Sequence, residues 1–329
     1  MKLFFADSTV FSLSYPEAPI LGLIRKTILD GGLAEEVTSP DKADAILIQE
    51  NNEYKDYRYI NDLLADRFVD NYIDKIFTIS DDDSATGVFR GLYASIPQRR
   101  FDRRFHRSVP YIRYANDYVF KNQQEVVPKY LAGWYGNTKS NAIRKQLVAK
   151  WQSDPSFAVK HTHSWYNHKD EEQKAYVALI LNSKFSLCPA GWAPPSPRIY
   201  ESMALGRCPV IISDGFVRPQ GPDWDDFALF YPESSVSKID DFLKRQESQF
   251  QQLGKKAKEN WERHFAGDLL NQYYASTLIE LISSTPKVEK VQEIKRWQSI
   301  STYWINKWTV PQRVSTKIIR ILKSKNSEL

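Results

Sequence analysis

Residues 183–219 read SKFSLCPAGWAPPSPRIYESMALGRCPVIISDGFVRP, and how this stretch is read decides the fold. Lys184 to Leu187 is an apolar-leaning run, and Cys208 to Ile212 is a second one rich in Val and Ile, the pattern of strands buried in a parallel sheet. Between them, residues 196–205 have helical character. Ser196 stands at the cap and Pro197 in the first turn, where the missing N–H has no helical partner to lose. Gly206 closes the helix, since glycine accepts the left-handed conformation that ends one. Strand, proline-stiffened loop, helix and strand make a βαβ crossover. Its helix N-terminus faces the carboxyl ends of the strands, where open α/β sheets bind ligands.

Outward from this unit the same alternation continues. Toward the N-terminus lie strands at 2–6, 44–49 and 75–79, an amphipathic helix at 17–29 stopped by Gly31-Gly32, a helix at 56–72, and a fourth strand at 109–114. Arg90, Arg99, Arg100, Arg103, Arg104 and Arg107 crowd the polar connection between the last two strands. It reads as a surface loop, or functionally as an electrostatic funnel for an anionic ligand. The polar residues 121–128, ending in Pro128, are the expected linker. Beyond it come strands at 130–134 and 157–161, helices at 140–151 and 171–181, the opening unit, a strand at 227–231, and helices at 235–252 and 255–283. The expected fold class is α/β, with two doubly wound Rossmann-like domains at 1–124 and 125–285 facing a cleft. A C-terminal helical tail, 286–329, interleaves Trp297, Tyr303, Trp304, Ile305 and Trp308 with Lys295, Arg296 and Lys307. That mixture suits a helix packing back on the domains or a peripheral membrane contact.

Composition bounds the function. The 329 residues are 42% hydrophobic and 13% aromatic, an ordinary globular balance. With 45 basic against 40 acidic side chains and a net charge of +5, an acidic substrate or anionic surface is a suitable partner. Nucleic acid is not expected, because no helix-turn-helix, zinc-finger or RNA-binding signature accompanies the charge. Cys188 and Cys208 both fall in expected strands, so they read as buried thiols rather than a disulfide framework. No apolar run reaches about 18 residues, from which a cytoplasmic protein is expected, peripheral at the inner membrane face if the tail docks there.

The candidate site begins with Arg198 and Glu201, which at i and i+3 share a face in the first turns of their helix. A guanidinium there can fork onto phosphate oxygens, and a carboxylate can accept both hydrogens of a ribose diol. The alternative is an ion pair between the two. Ser196 adds the cap, and Gly191 and Trp192 follow the strand end in a loop stiffened by Pro194, Pro195 and Pro197. Trp192 either stacks on a base or sugar or packs in the core. Asp214, at the end of the next strand, either contacts a sugar hydroxyl or turns the chain. His161, His163 and His168 lack the acidic or cysteine partners of a metal set. His163, at a strand end, is a candidate ligand contact.

Residues 185–219 resemble the exostosin-type glycosyltransferases through Cys188-Pro189, Gly191-Trp192, Ser196-Pro197-Arg198, Glu201, Gly206, Pro209-Val210-Ile211 and Ser213-Asp214. Fainter echoes are Ser39-Pro40-Asp41-Lys42-Ala43-Asp44, Tyr130-Leu131-Ala132-Gly133 and Ile143-Arg144, so that the likeness spans roughly residues 39 to 245. The resemblance implies a GT-B-like fold and transfer of a sugar from a nucleotide-sugar donor to a glycan or lipid-linked acceptor. The N-terminal domain would then take the acceptor side and the C-terminal domain the donor. It also implies that Arg198 binds diphosphate, that Glu201 binds ribose or donor sugar, and that Arg144 is a further phosphate ligand or a pin between helix and sheet. The chain lacks the anchor and cysteine content of animal members, which points toward bacterial surface-polysaccharide synthesis. Asp81, Asp82, Asp83 and Glu50, at strand ends of the N-terminal half, are four open candidates for the base that deprotonates the acceptor. The aspartate triplet resembles the Asp-x-Asp metal site of the other main glycosyltransferase fold. A GT-B-type enzyme has no need of it, and neither a metal nor another cofactor is expected. The rival reading is a non-catalytic protein that binds a nucleotide or anionic glycan in the same place.

Overall fold

The computed structural model describes residues 1–13, 15–50, 55–83, 85–112, 116–121, 126–162 and 169–307. The chain divides into two compact units, one of Met1–Tyr93, Arg99–His106 and Leu278–Leu329, the other of Ala94–Gln98 and Arg107–Thr277. Their limits fall at Tyr93/Ala94, His106/Arg107 and Thr277/Leu278 rather than near residues 124 and 285. Residues 122–125 of the expected linker lie outside the described residues.

The first unit begins with β1 (Lys2–Phe5), α1 (Pro19–Asp30), β2 (Glu35–Glu36), β3 (Ala45–Gln49), α2 (Tyr57–Ala65), α3 (Arg67–Tyr72), β4 (Ile76–Ser80) and β5 (Arg90–Tyr93), and its limit falls after the first residue of β6 (His106–Ser108). The sheet runs β2-β1-β3-β4-β5-β6, with β1, β3, β4 and β5 paired in parallel. Every residue of β3 and β4 is buried, as strands covered on both faces must be. The single helix expected at 56–72 is broken in two by Asp66, whose carboxylate accepts the N–H groups of Phe68 and Val69 at 2.8 and 3.0 Å and so starts α3.

Of the strand expected at 109–114, residues 113 and 114 lie outside the described residues; β5 and β6 come before it, and this corrects the reading of the arginine cluster. Arg90 is a buried residue of β5, not part of a surface loop. Its Nη2 donates to the carbonyls of Ile73, at 3.2 Å, and Asp74, and the guanidinium lies 4.7 Å from the Phe77 ring centroid. Arg100 donates to the Ala85 carbonyl at 2.6 Å, and burial pulls it down to about 10. Arg99, Arg103 and Arg104 stay exposed. Beside Arg90, Gly91 has a φ of +153°, and a Cβ there would lie 2.0 Å from the Thr78 carbonyl oxygen, so only glycine lets β5 approach β4.

The second unit holds α4 (Tyr118–Lys121), β7 (Tyr130–Gly136), α5 (Ala142–Trp151), β8 (Phe157–His161), α6 (Asp170–Leu181), β9 (Ser183–Pro189), α7 (Pro197–Ala204), β10 (Cys208–Ile212), β11 (Leu229–Phe230), α8 (Ile239–Gln246), α9 (Phe250–His264) and most of α10 (Asp268–Ser284). Its sheet runs β11-β10-β9-β7-β8, all parallel. The βαβ unit read at 183–219 is present, with Cys208 to Ile212 in register with Phe185 to Pro189. The helices expected at 235–252 and 255–283 are cut elsewhere. A 3-10 turn at Glu247–Gln249 separates α8 from α9, and Gly267, at φ +53°, separates α9 from α10.

Two further helices, α11 (Lys290–Trp297) and α12 (Ile300–Asn306), belong to the first unit. Trp297 packs edge-on against Phe89 with centroids 4.9 Å apart. Glu293, buried, accepts two hydrogen bonds from Arg296 at 3.0 and 2.6 Å and has Arg90 3.9 Å away, while Arg296 also donates to the Val88 carbonyl. Trp308 lies outside the described residues. No described helix is long and apolar enough to cross a membrane.

Candidate functional site

In the second unit the carboxyl ends of β7 and β9 and the start of α7 converge on Arg198. Ser196 takes the N-cap position in extended conformation, with Pro197 following; its side chain accepts no capping hydrogen bond, and its carbonyl takes the Ile199 N–H at 3.0 Å. Two residues on, within the first turn, Arg198 is only 8% exposed. Its Nη2 donates to the Tyr135 carbonyl at 2.5 Å, and the guanidinium sits 5.7 Å from the Trp134 ring and 5.5 Å from the Tyr176 ring. Aromatic faces of this kind stabilise a cation by roughly 0.5–2 kcal/mol each. Nε and Nη1 are buried and have no hydrogen-bond partner among the described residues. A guanidinium with two buried donors unmet is costly in isolation and is satisfied by an anion.

Glu201, 7% exposed, accepts a hydrogen bond from the Tyr176 hydroxyl. The ion pair weighed from the sequence is therefore not what these residues form. Arg198 turns to a carbonyl and two rings, Glu201 to a phenol. Tyr176, on α6, touches both and has no signature of its own in the sequence. Its only cue was helical spacing, which marks it as core. Burial, and then the Glu201 charge, hold its hydroxyl well above the usual phenol range, so it stays a donor.

The loop before α7 is held from beneath by Arg144. Its guanidinium donates to the carbonyls of Ala190 at 2.9 Å, Asn137 at 3.3 Å and Pro189 at 3.3 Å. Of the two roles open to Arg144, these contacts are those of a pin. Gly191 is required by that pin, for a Cβ on it would lie 2.8 Å from Arg144 Nη2. Gly136 likewise makes room for Arg198, whose Nη2 would be 3.0 Å from an added Cβ. Trp192 is 39% exposed, on the solvent side of the same loop. Asp214 exchanges hydrogen bonds with Glu233, accepting from its N–H at 3.2 Å while its own N–H donates to the Glu233 carboxylate at 3.0 Å. That is the contact of a residue that turns the chain. Beneath α7, the Ser202 hydroxyl lies 2.6 Å from the Arg198 carbonyl and 2.7 Å from the Ser186 hydroxyl, tying helix to strand. Cys188 beside them is buried, which pushes its thiol up to about 11. His163 and His168 lie outside the described residues, and His161 is exposed at the end of β8. Among the described residues no three His, Cys, Asp or Glu side chains form a metal-holding group.

The carboxylates of the first unit form a separate cluster where β3 and β4 end. Lys55 is fully buried, with Nζ 2.5 Å from Asp82 and 4.0 Å from Glu50. Glu50, 1% exposed, also accepts from the Tyr59 hydroxyl at 3.2 Å. Burial raises its carboxyl above the ordinary range; Lys55 opposes this and the Asp82 charge adds to it. Asp81 is half-buried and Asp83 exposed, so of the four candidate bases Glu50 and Asp82 are committed to Lys55 while Asp83 reaches solvent.

A buried cation with open donors at the carboxyl end of a parallel sheet, beside a carboxylate, has the chemistry to hold an anion. Residues 94–246 match the family model of the Exostosin GT47 domain, the family that the motif at 185–219 resembles. The faint echo at Ser39 to Asp44 lies outside the matched residues. The chain is 32% identical over 140 residues to the probable glucuronoxylan glucuronosyltransferase IRX7 of Arabidopsis thaliana, which covers 42% of this chain and 29% of that protein. To a probable glucuronosyltransferase of Oryza sativa subsp. japonica it is 33% identical over 123 residues, 37% of this chain and 26% of the relative. The chain thus spans less than a third of the length of these curated relatives. Among solved structures, TarM is similar with a TM-score of 0.37 and 8% identity, over 65% of this chain and 57% of that one.

Proposed function

We propose that this protein is a glycosyltransferase that moves a sugar from a nucleoside-diphosphate sugar to a glycan or lipid-linked acceptor in surface-polysaccharide synthesis. The observation that carries the reading is Arg198, whose Nε and Nη1 are buried and unmet at the end of the parallel sheet. A diphosphate oxygen placed there would take two charge-assisted hydrogen bonds and neutralise the guanidinium, and the same contacts would stabilise the leaving diphosphate. Glu201, oriented by Tyr176, would face the ribose or donor sugar. Trp192 offers an exposed ring for stacking. No metal or other cofactor is invoked, because the Arg198 guanidinium meets the charge. The acceptor proton would pass to a carboxylate, with Asp81, Asp82, Asp83 and Glu50 as this chain's candidates.

The relatives are named as glucuronosyltransferases, which makes a nucleoside-diphosphate glucuronate the first donor to try. They come from plants, and the bacterial, cytoplasmic setting read from the sequence is a proposal of its own. The test is a thermal-shift and titration panel of UDP, GDP, CMP and dTDP sugars. A ligand at a hundredfold excess over its dissociation constant stabilises the fold by about 2.7 kcal/mol. Arg198→Ala should weaken the preferred nucleotide roughly a hundredfold, about 3 kcal/mol for two charge-assisted bonds, and abolish diphosphate release in a donor-hydrolysis assay. Absence of binding by every nucleotide, with diphosphate release unchanged in Arg198→Ala, would overturn the reading. Binding with no release under any acceptor would favour the non-catalytic binder.

A further inference from the structure

Among the described residues, helix α12 is fastened along one side. The Tyr303 ring packs on Tyr57 of α2 with centroids 5.0 Å apart, and Asn306 is buried. Ser299 caps the helix by accepting the Thr302 N–H at 3.2 Å. On the other side Ile300 and Trp304, four residues apart and therefore neighbours on the helix surface, are 77% and 62% exposed. Lys307 folds over this side, with Nζ 4.5 Å from the Trp304 ring and 5.6 Å from that of Tyr303. A large aliphatic side chain, a tryptophan and a cation thus share one exposed surface.

The chemistry of the face selects among occupants. A purely apolar protein groove would strand Lys307 without water or counter-charge. An aqueous surface gives Ile300 and Trp304 nothing to bury against. The boundary of an anionic bilayer serves all three, because indole rings favour headgroup depth, aliphatic side chains enter the acyl region, and cations meet acidic headgroups. The charge of the sequence continues in the same sense. Residues 308–329 carry Arg313, Lys317, Arg320, Lys323 and Lys325 against Glu328 alone. Near an acidic leaflet each such cation adds attraction that salt screens.

We propose that this face of α12 docks on an anionic membrane surface, with Ile300 and Trp304 entering the interface and Lys307 meeting acidic headgroups. The inference deepens the acceptor side of the proposed function, since a lipid-linked acceptor is presented at such a surface, but docking is measured without turnover and stands or falls separately. The experiment is co-sedimentation of the full chain with vesicles of phosphatidylcholine alone, or with about 30 mol % phosphatidylglycerol, in low and high salt. Binding is expected on the anionic vesicles in low salt and should fall at least tenfold on the neutral ones or in high salt. The double variant Ile300→Ser, Trp304→Ser should lose at least tenfold in vesicle binding while keeping its melting curve and its nucleotide-induced thermal shift. Equal binding to neutral and anionic vesicles, full binding by the double variant, or no binding at all would overturn the proposal. So would a parent that is dimeric and becomes monomeric in the double variant without vesicle binding, which would assign the face to a second copy of the chain.

Discussion

Tyr176 touches both members of the candidate pair, ring to Arg198 and hydroxyl to Glu201. Removing only its oxygen leaves Glu201 buried and short of a donor, a loss of about 1.5–3 kcal/mol for a bond to a charged acceptor. Tyr176→Phe should therefore lower stability by about that amount in urea unfolding and weaken the nucleotide titration, whereas a phenol that only filled space would leave binding unchanged. Arg144 makes a matching case on the other side of the loop. Gly191→Ala pushes a methyl into a guanidinium already engaged by three carbonyls, and about 1–3 kcal/mol of destabilisation is expected from the overpacking, read as a lowered melting temperature. Cys188 and Cys208 are buried and free, and burial raises both thiols. Native protein should resist a thiol reagent at neutral pH and react at two sites only when unfolded.

At the scale of elements, α11 is secured by charge inside a core. Glu293 takes both oxygens to Arg296 and stands beside Arg90, with almost no water to soften the loss of any partner. Glu293→Ala should cost about 3–5 kcal/mol, because it leaves Arg90 buried and uncompensated, and hydrogen exchange should show β5 and α11 opening together. The same network explains which elements the sequence concealed. Arg90-Gly91-Leu92-Tyr93 and His106-Arg107-Ser108 have neither strand alternation nor apolar continuity, and an arginine-rich stretch reads as solvated unless its counter-charge is known. Here the counter-charge lies some two hundred residues away. Asp66 hid a helix break in the same manner, by capping from within an apolar periodicity. The βαβ unit was legible because each of its signals is local: proline at the helix start, glycine at its end, valine and isoleucine in the strand. Arg198 and Glu201 were legible with it. Their actual partners, Tyr135 and Tyr176, were not, because those contacts span 63 and 25 residues.

For the whole molecule, one pH dependence originates in the first unit, at Glu50. Glu50 holds its proton more tightly when folded than its ordinary value of 4.5, chiefly through burial. Below 4.5 the carboxyl is protonated in folded and unfolded chains alike. Between that value and its raised folded value only the folded chain keeps the proton, so this contribution is full at low pH and is lost as pH rises through the folded value. Urea unfolding across this window should show a downward component with rising pH that disappears in Glu50→Gln. A slope identical in the two proteins would assign the titration to another group.

The first unit is also assembled from three separated stretches of chain, while nearly all of the second is one continuous run. The bond from Arg296 to the Val88 carbonyl joins residues 208 apart in sequence, among the largest loop closures in the protein. During synthesis from the N-terminus, β1 to β5 must wait with the Trp297 site of their core empty until the entire second unit has emerged. The second unit needs no such delay. The order of maturation is therefore reversed relative to the order of synthesis, and a nascent chain halted before residue 290 would hold a finished second unit and an unsealed hydrophobic first one, the state most in need of a chaperone.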